Sequence, residues 1–170
     1  MGFTIPVSMM DKKDYVALVK TLADQALQLG SKTIPVKELT IRTLTPKDLG
    51  LTTDEWSFTV NAGENTIVNT KLDDKTLIVI YGIFNLSSSP VTVRVKFGTN
   101  AVTKEDVDIE DMYTYDYKAV VLSEPIVFQP GSQMVIKAVT MSTTASGTKE
   151  RLGFIGFVIE PAGRNIGGSS

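Results

Sequence analysis

Five acidic side chains crowd one stretch of the sequence: Asp106, Asp108, Glu110, Asp111 and, further on, Asp116. On an extended chain alternate side chains share a face, so Asp106, Asp108 and Glu110 could join backbone carbonyls around a calcium ion. The stretch lacks the glycine and the spaced final Glu of an EF-hand, and a solvated acidic loop is the competing reading. Tyr113, Tyr115 and Tyr117 follow, aromatic at every second position. Extended, the three rings would lie on one side as a sugar-stacking platform or a protein interface, because tyrosine joins an apolar body to a polar tip. A strand edge packing on its own core is the alternative. Trp56 is a further candidate for stacking on a sugar.

The chain contains neither His nor Cys. Disulfides, thiolate metal sites and thiol nucleophiles are thereby absent, and so is the commonest general base. Serine, cysteine and zinc hydrolase arrangements cannot be assembled in their common forms, which leaves carboxylate and lysine chemistry. A glycosidase-like pair of carboxylates is set by distance in space and has no signature here. Lys149-Glu150-Arg151 lacks the spacing of a phosphate-binding loop and reads as the polar end of a hairpin. The expectation is a protein with no catalytic residues, no cofactor and no metal.

A net charge of -2 supplies no global field to attract a phosphate backbone, so nucleic acid is not the expected partner. No apolar run is long enough to span a bilayer as a helix, and no membrane partner is expected. Residues 1–6 lack the charged start and apolar stretch of a secretory signal. These features predict a protein made and kept inside a cell. Asn85-Leu86-Ser87 is a glycosylation sequon with no signal peptide to deliver it.

These residues must be positioned by elements of two kinds. Tyr15, Val16, Leu18, Val19, Leu22, Ala23, Ala26, Leu27 and Leu29 recur at three- and four-residue spacing and predict an amphipathic helix over residues 10–29. Ser8 and Asp11 resemble a capping box, and Gly30 is the expected stop. The apolar stripe covers either the β domain or the same helix of neighbouring subunits. Thr45 followed by Pro46 predicts a capped helical turn ending at Gly50. The β domain is expected to start at Ile34 and to run to residue 162, after an arm and helix over 1–33 and before a flexible tail over 163–170.

Strands are expected at 56–61, 66–71, 76–84, 91–97, 117–122, 126–128, 134–141 and 152–160, rich in β-branched and aromatic residues and separated by turn residues. About eight strands without intervening long helices make an antiparallel sandwich or barrel. Val91, Val93, Val95 and Phe97 alternate with polar residues, so that strand has one buried face. Residues 76–84 do not alternate and predict a central strand covered on both sides. Gly153 and Gly156 in the last strand permit a bulge or close backbone approach.

The strand series resembles the single jelly-roll domains of viral capsid-associated proteins, including the decoration or cement proteins of capsid surfaces. The resemblance is carried by the strand at 77–84, the strand at 91–97, the Asp108-Ile109-Glu110-Asp111-Met112-Tyr113 stretch, residues 124–131 and the closing strand at 153–159. It implies a jelly-roll-like β-sandwich and a homo-oligomer, often a trimer, that clamps neighbouring capsid subunits and resides in the virion. Residues 1–30 and the tail from Gly163 would be its arms. A shell protein facing the genome often has a basic arm, and this N-terminus is not strongly basic, which favours an outer position. Tyr15, Leu18, Leu22, Tyr113, Tyr115 and Tyr117 are the candidate interface residues. The alternatives are a carbohydrate-binding β-sandwich and, third, a carboxylate-based glycan hydrolase.

Overall fold

A computed structural model describes residues 3–99 and 103–163. The tail expected from Gly163 lies, beyond that residue, outside the described residues, as does Asn100 of the expected turn. A short strand, β1 (Thr4–Pro6), and a long helix, α1 (Lys12–Thr33), come first. The rest of the chain doubles back on itself, early strands pairing with late ones. β2 (Leu39–Thr43) pairs with β11 (Leu152–Pro161), and β3 (Phe58–Val60) with β10 (Thr148–Glu150). β4 (Gly63–Lys71) pairs with β9 (Gln133–Thr140), and β5 (Leu77–Asn85) with β8 (Ala119–Phe128). β6 (Thr92–Gly98) pairs with β7 (Thr103–Asp108), and every pair is antiparallel.

Rolling this ribbon brings β11 beside β5 and β9 beside β6. The outcome is one sheet ordered β1-β8-β5-β11-β2 and a second ordered β4-β9-β6-β7. Eight strands nested in this way and rolled into two sheets are a jelly roll, with β1 as an added edge strand. The expected count of about eight matches these two sheets by compensation. β2 and β7 are additional, and the strand expected at 56–61 is β3, which pairs with β10 outside both sheets. The strands expected at 117–122 and 126–128 are the single strand β8. Pro125 mimics a break there, and the ladder absorbs it by a register shift between Ile80 and Gly82 of β5.

The two-sided apolar pattern of β5 has a direct cause. Ile78 and Ile80 face the core between the sheets, while Leu77 and Val79 face α1 on the outside, where they join Ala26, Ile34 and Ile159. Each fully buried aliphatic or phenylalanine side chain contributes about 1.5–3 kcal/mol. In the inner core Phe154 meets Trp56 edge-on at 5.7 Å and Phe97 at 5.6 Å between ring centroids. This edge-to-face geometry is preferred by aromatic quadrupoles.

α1 departs from the expected helix at both ends. It begins after Asp11, which makes no side-chain capping bond, because residues 7–9 form a 3-10 turn in place of the expected capping box at Ser8. It also continues through Gly30 to Thr33. The glycine marks close approach rather than a stop: a Cβ there would sit 2.6 Å from Cγ2 of Ile159. The turn at Pro46–Leu49 forms as expected, with the Asp48 carboxylate accepting hydrogen bonds from the Thr45 amide and hydroxyl, both at 2.8 Å.

Asp48 also receives both terminal nitrogens of Arg42, at 2.7 and 2.9 Å, while Arg42 Nε donates to Glu160 at 2.8 Å. This ion triad ties β2, the following turn and β11 together. Burial pushes the Asp48 carboxyl up, but the bonds from Arg42 and Thr45 outweigh it and hold the group below its ordinary value. A lowered folded-state pKa means stability that is complete above the ordinary carboxylate range and is lost as pH falls through it. Below about pH 4 the melting temperature should therefore drop more steeply in the parent than in Asp48→Asn, and equal slopes would show that the triad carries no pH-linked stability. At Gly156, where β11 is bulged, a Cβ would fall on the Val79 carbonyl oxygen. Gly156→Ala should cost about 3 kcal/mol, read as a lower urea midpoint.

Candidate functional site

At one end of the roll the chain passes from the first sheet to the second. β5 ends at the buried Asn85, residues 86–91 cross over, and β6 starts at Thr92. The short helix α2 (Glu110–Thr114) lies near this crossing, anchored by the Ile109 amide donating to the Val93 carbonyl at 2.9 Å. The chain then reverses through Asp116, the one non-glycine with positive φ (58°) among the described residues. An L-residue held there costs about 1 kcal/mol, and aspartate tolerates it better than most. The reversal is fixed on both sides: the Tyr117 amide donates to Met112, and the Asn85 amide to Lys118.

Between these segments lies a cleft of about 430 Å³. Asn85, Ser87, Tyr113, Asp116, Tyr117 and Lys118 supply its polar groups. Beneath it sits Glu150, which is 0 % exposed. Glu150 Oε1 accepts hydrogen bonds from the Val91 amide, the Thr92 amide and the Thr92 hydroxyl, each at 2.9 Å. It also accepts the Asn85 side-chain amide at 3.2 Å, and the same nitrogen donates to the Tyr113 hydroxyl oxygen at 3.2 Å. Oε2 is buried with no hydrogen-bond partner. Burial pushes the Tyr113 hydroxyl above its ordinary value; the Asn85 bond acts against this and the charge of Glu150 adds to it. The hydroxyl thus stays protonated through neutral pH.

Glu150 is therefore not the polar end of a hairpin. Its neighbours Lys149 and Arg151 are exposed, as that reading requires, but the residue between them points inward because strand side chains alternate. A single inward glutamate among polar neighbours is a visible signal, although nothing in the sequence names its four donors.

The tyrosines do not form a shared platform. α2 replaces the extended segment, so Tyr113 turns into the cleft against Asn85, while Tyr115 stays outside, 65 % exposed. Tyr117 keeps contact with both groups: it lines the cleft, and its ring lies 5.9 Å from that of Tyr115. Trp56, the other stacking candidate, is packed edge-on against Phe84 and Phe154 in the core. Along α1, Leu22 is buried and shares an apolar groove with Ala26, Val79 and Val127, whereas Tyr15 and Leu18 are half-buried. The helix stripe thus covers the chain's own first sheet.

Of the three carboxylates expected on one extended face, Asp106 and Asp108 keep it and Glu110 leaves it. Asp106 and Asp108 belong to β7 and pair with Arg94, at 3.4 and 3.8 Å, while Glu110 begins α2. Among the described residues no group of three carboxylates converges as a metal site. Asp48 and Glu160, which share a concave surface, both bind Arg42 and do not face each other as a free acid and base.

No known protein family, curated protein or solved structure matches this chain. The jelly-roll assignment rests on strand order and register. Among the described residues no helix is long and apolar enough to cross a membrane.

Replacing Glu150 by alanine would leave three backbone and side-chain donors of 91–92 and one of Asn85 without an acceptor. Glu150→Ala should lower unfolding free energy by about 3 kcal/mol or more, and Glu150→Gln, which retains one acceptor oxygen, by distinctly less. Urea denaturation of both, with exposed Lys149→Ala as the reference, checks this; a Glu150→Ala midpoint equal to the reference would remove Glu150 as an anchor.

Proposed function

We propose that this chain is a non-catalytic structural assembly protein. In this reading the jelly roll associates with copies of itself, a trimer being favoured, and decorates or cements neighbouring subunits of a virion capsid. The observation that carries it is the apolar edge of the first sheet. β1 lies at that edge, and beside it Phe3 is 68 % and Met9 70 % exposed, with Ile5 exposed between them. The Met9 sulfur accepts a hydrogen bond from the Tyr117 hydroxyl at 3.3 Å, which continues the edge to the exposed Tyr115.

Exposed edge strands offer unpaired backbone groups and are normally blunted by charge, so large apolar side chains gathered at one favour contact with another chain. Tyrosine and methionine are also enriched in protein interfaces. The contact would be heterologous, joining this edge to a different surface of the next copy, and three such contacts close a ring. The trimer and the capsid partner come from the resemblance to capsid decoration proteins. Tyr115 and Tyr117 remain in this interface; Tyr113, bonded to Asn85 in the cleft, does not.

Light scattering on a size-exclusion column should give about three times the chain mass for the parent and the monomer mass for Phe3→Ser/Met9→Ser. A parent that stays monomeric and sediments with no capsid particle would overturn the reading.

A further inference from the structure

The cleft beside Asn85 holds a fixed pattern of donors and acceptors, and we propose that it binds a neutral saccharide unit. Asn85 sets the pattern. Its Oδ1 accepts the Ser87 amide at 2.9 Å, so its nitrogen must face Glu150 and Tyr113, at 3.2 Å each. A carboxylate only accepts, which excludes the flipped amide. Both amide hydrogens are then engaged, one of them on the Tyr113 hydroxyl oxygen. Tyr113 keeps its own hydrogen for the cleft it lines and acts there as an oriented donor.

Ser87 has the same bias, because its Oγ accepts the Arg151 amide at 2.8 Å and its hydrogen is left to donate. Lys118 adds an ammonium donor and Asp116 a carboxylate acceptor at the rim. Tyr117 contributes a ring held from two sides, by its bond to Met9 and by Tyr115.

A ligand for this set must accept from Tyr113, Ser87 and Lys118, donate to Asp116 and lay an apolar face on an aromatic ring. Hydroxyl groups both donate and accept, and a pyranose carries several around a ring whose C–H face is apolar. An anion would gain from Lys118 but meet the charges of Asp116 and the buried Glu150. An apolar ligand would strand the donors. The site adjoins the assembly edge, since Tyr117 belongs to both, but its polar groups stand apart from that edge, because Phe3 and Ile5 do not line the cleft.

The test is a printed array of neutral oligosaccharides built from glucose, galactose, mannose and N-acetylglucosamine, with sialylated and sulfated glycans alongside. The strongest binder is then titrated calorimetrically against the parent, Tyr113→Phe and Asp116→Asn, with melting curves to confirm folding. Selective binding of a neutral glycan is expected, with affinity reduced about tenfold or more in each variant. Exposed Asp116→Asn keeps the test decisive if Tyr113→Phe is destabilised. Silence across the array, binding of charged glycans alone, or unchanged affinity in a folded variant would each overturn the proposal. Phe3→Ser alone, which leaves the Met9 contact with Tyr117 in place, should bind as the parent does, which separates this outcome from that of the assembly experiment.

Discussion

The buried Glu150 carboxylate holds the place where a jelly roll is most exposed to failure. Each time the paired ribbon crosses between sheets, backbone amides leave one ladder before joining the next. At the β5 to β6 crossing the amides of Val91 and Thr92 both meet Glu150 Oε1, and so does the Thr92 hydroxyl. A charged acceptor makes stronger bonds than a carbonyl would, and one oxygen can take several donors that no single strand could align. Because Glu150 closes β10, the same bonds tie the late half of the ribbon to the early half. Through Asn85 they reach Tyr113 and α2, so the crossing and the cleft are one construction.

Packing then fixes what the crossing permits. β5 is buried on both faces because the sandwich core takes Ile78 and Ile80 while α1 takes Leu77 and Val79. Close contact across the roll requires small residues where backbone meets backbone or ring. Gly153 stands where a Cβ would strike Phe84 and Trp56, and Gly156 where it would strike β5 itself. The bulge at Gly156 and the register shift in β5 are local departures from ideal pairing that let a twisted ribbon close around large aromatic side chains.

Periodicity made the class of the fold legible, and its failures have physical causes. β5, β6, β9 and β11 carry enough apolar side chains to declare themselves, and Thr45-Pro46 names its own turn because capping chemistry is local. β7 was hidden because only Val107 of its core-facing positions is a buried hydrophobe, and its acidic residues look like loop. β2 alternates Leu39, Ile41 and Thr43 with Thr40 and Arg42, but it is short and follows Pro35. The cleft was legible only as a list of tyrosines. Its form depends on α2 interrupting them and on a glutamate 65 positions from Asn85, and no spacing rule spans that distance.

The outer surfaces are sorted by what covers them. α1 lies over the first sheet, so its outward apolar residues have a partner within the chain. Among the described residues no long helix covers the second sheet, which carries charge instead: Glu64 binds Lys96 and Lys137, each at 3.1 Å, while Arg94 faces Asp106 and Asp108. The two lysines hold the Glu64 carboxyl below its ordinary value, a surface arrangement that favours hydration and adds little stability. β7 protects its own edge of that sheet with acidic residues, as edge strands commonly do. The β1 edge departs from this rule, placing Phe3, Ile5 and Met9 where charge would keep other chains away. That contrast between one edge guarded by charge and another left apolar gives the assembly reading its physical basis.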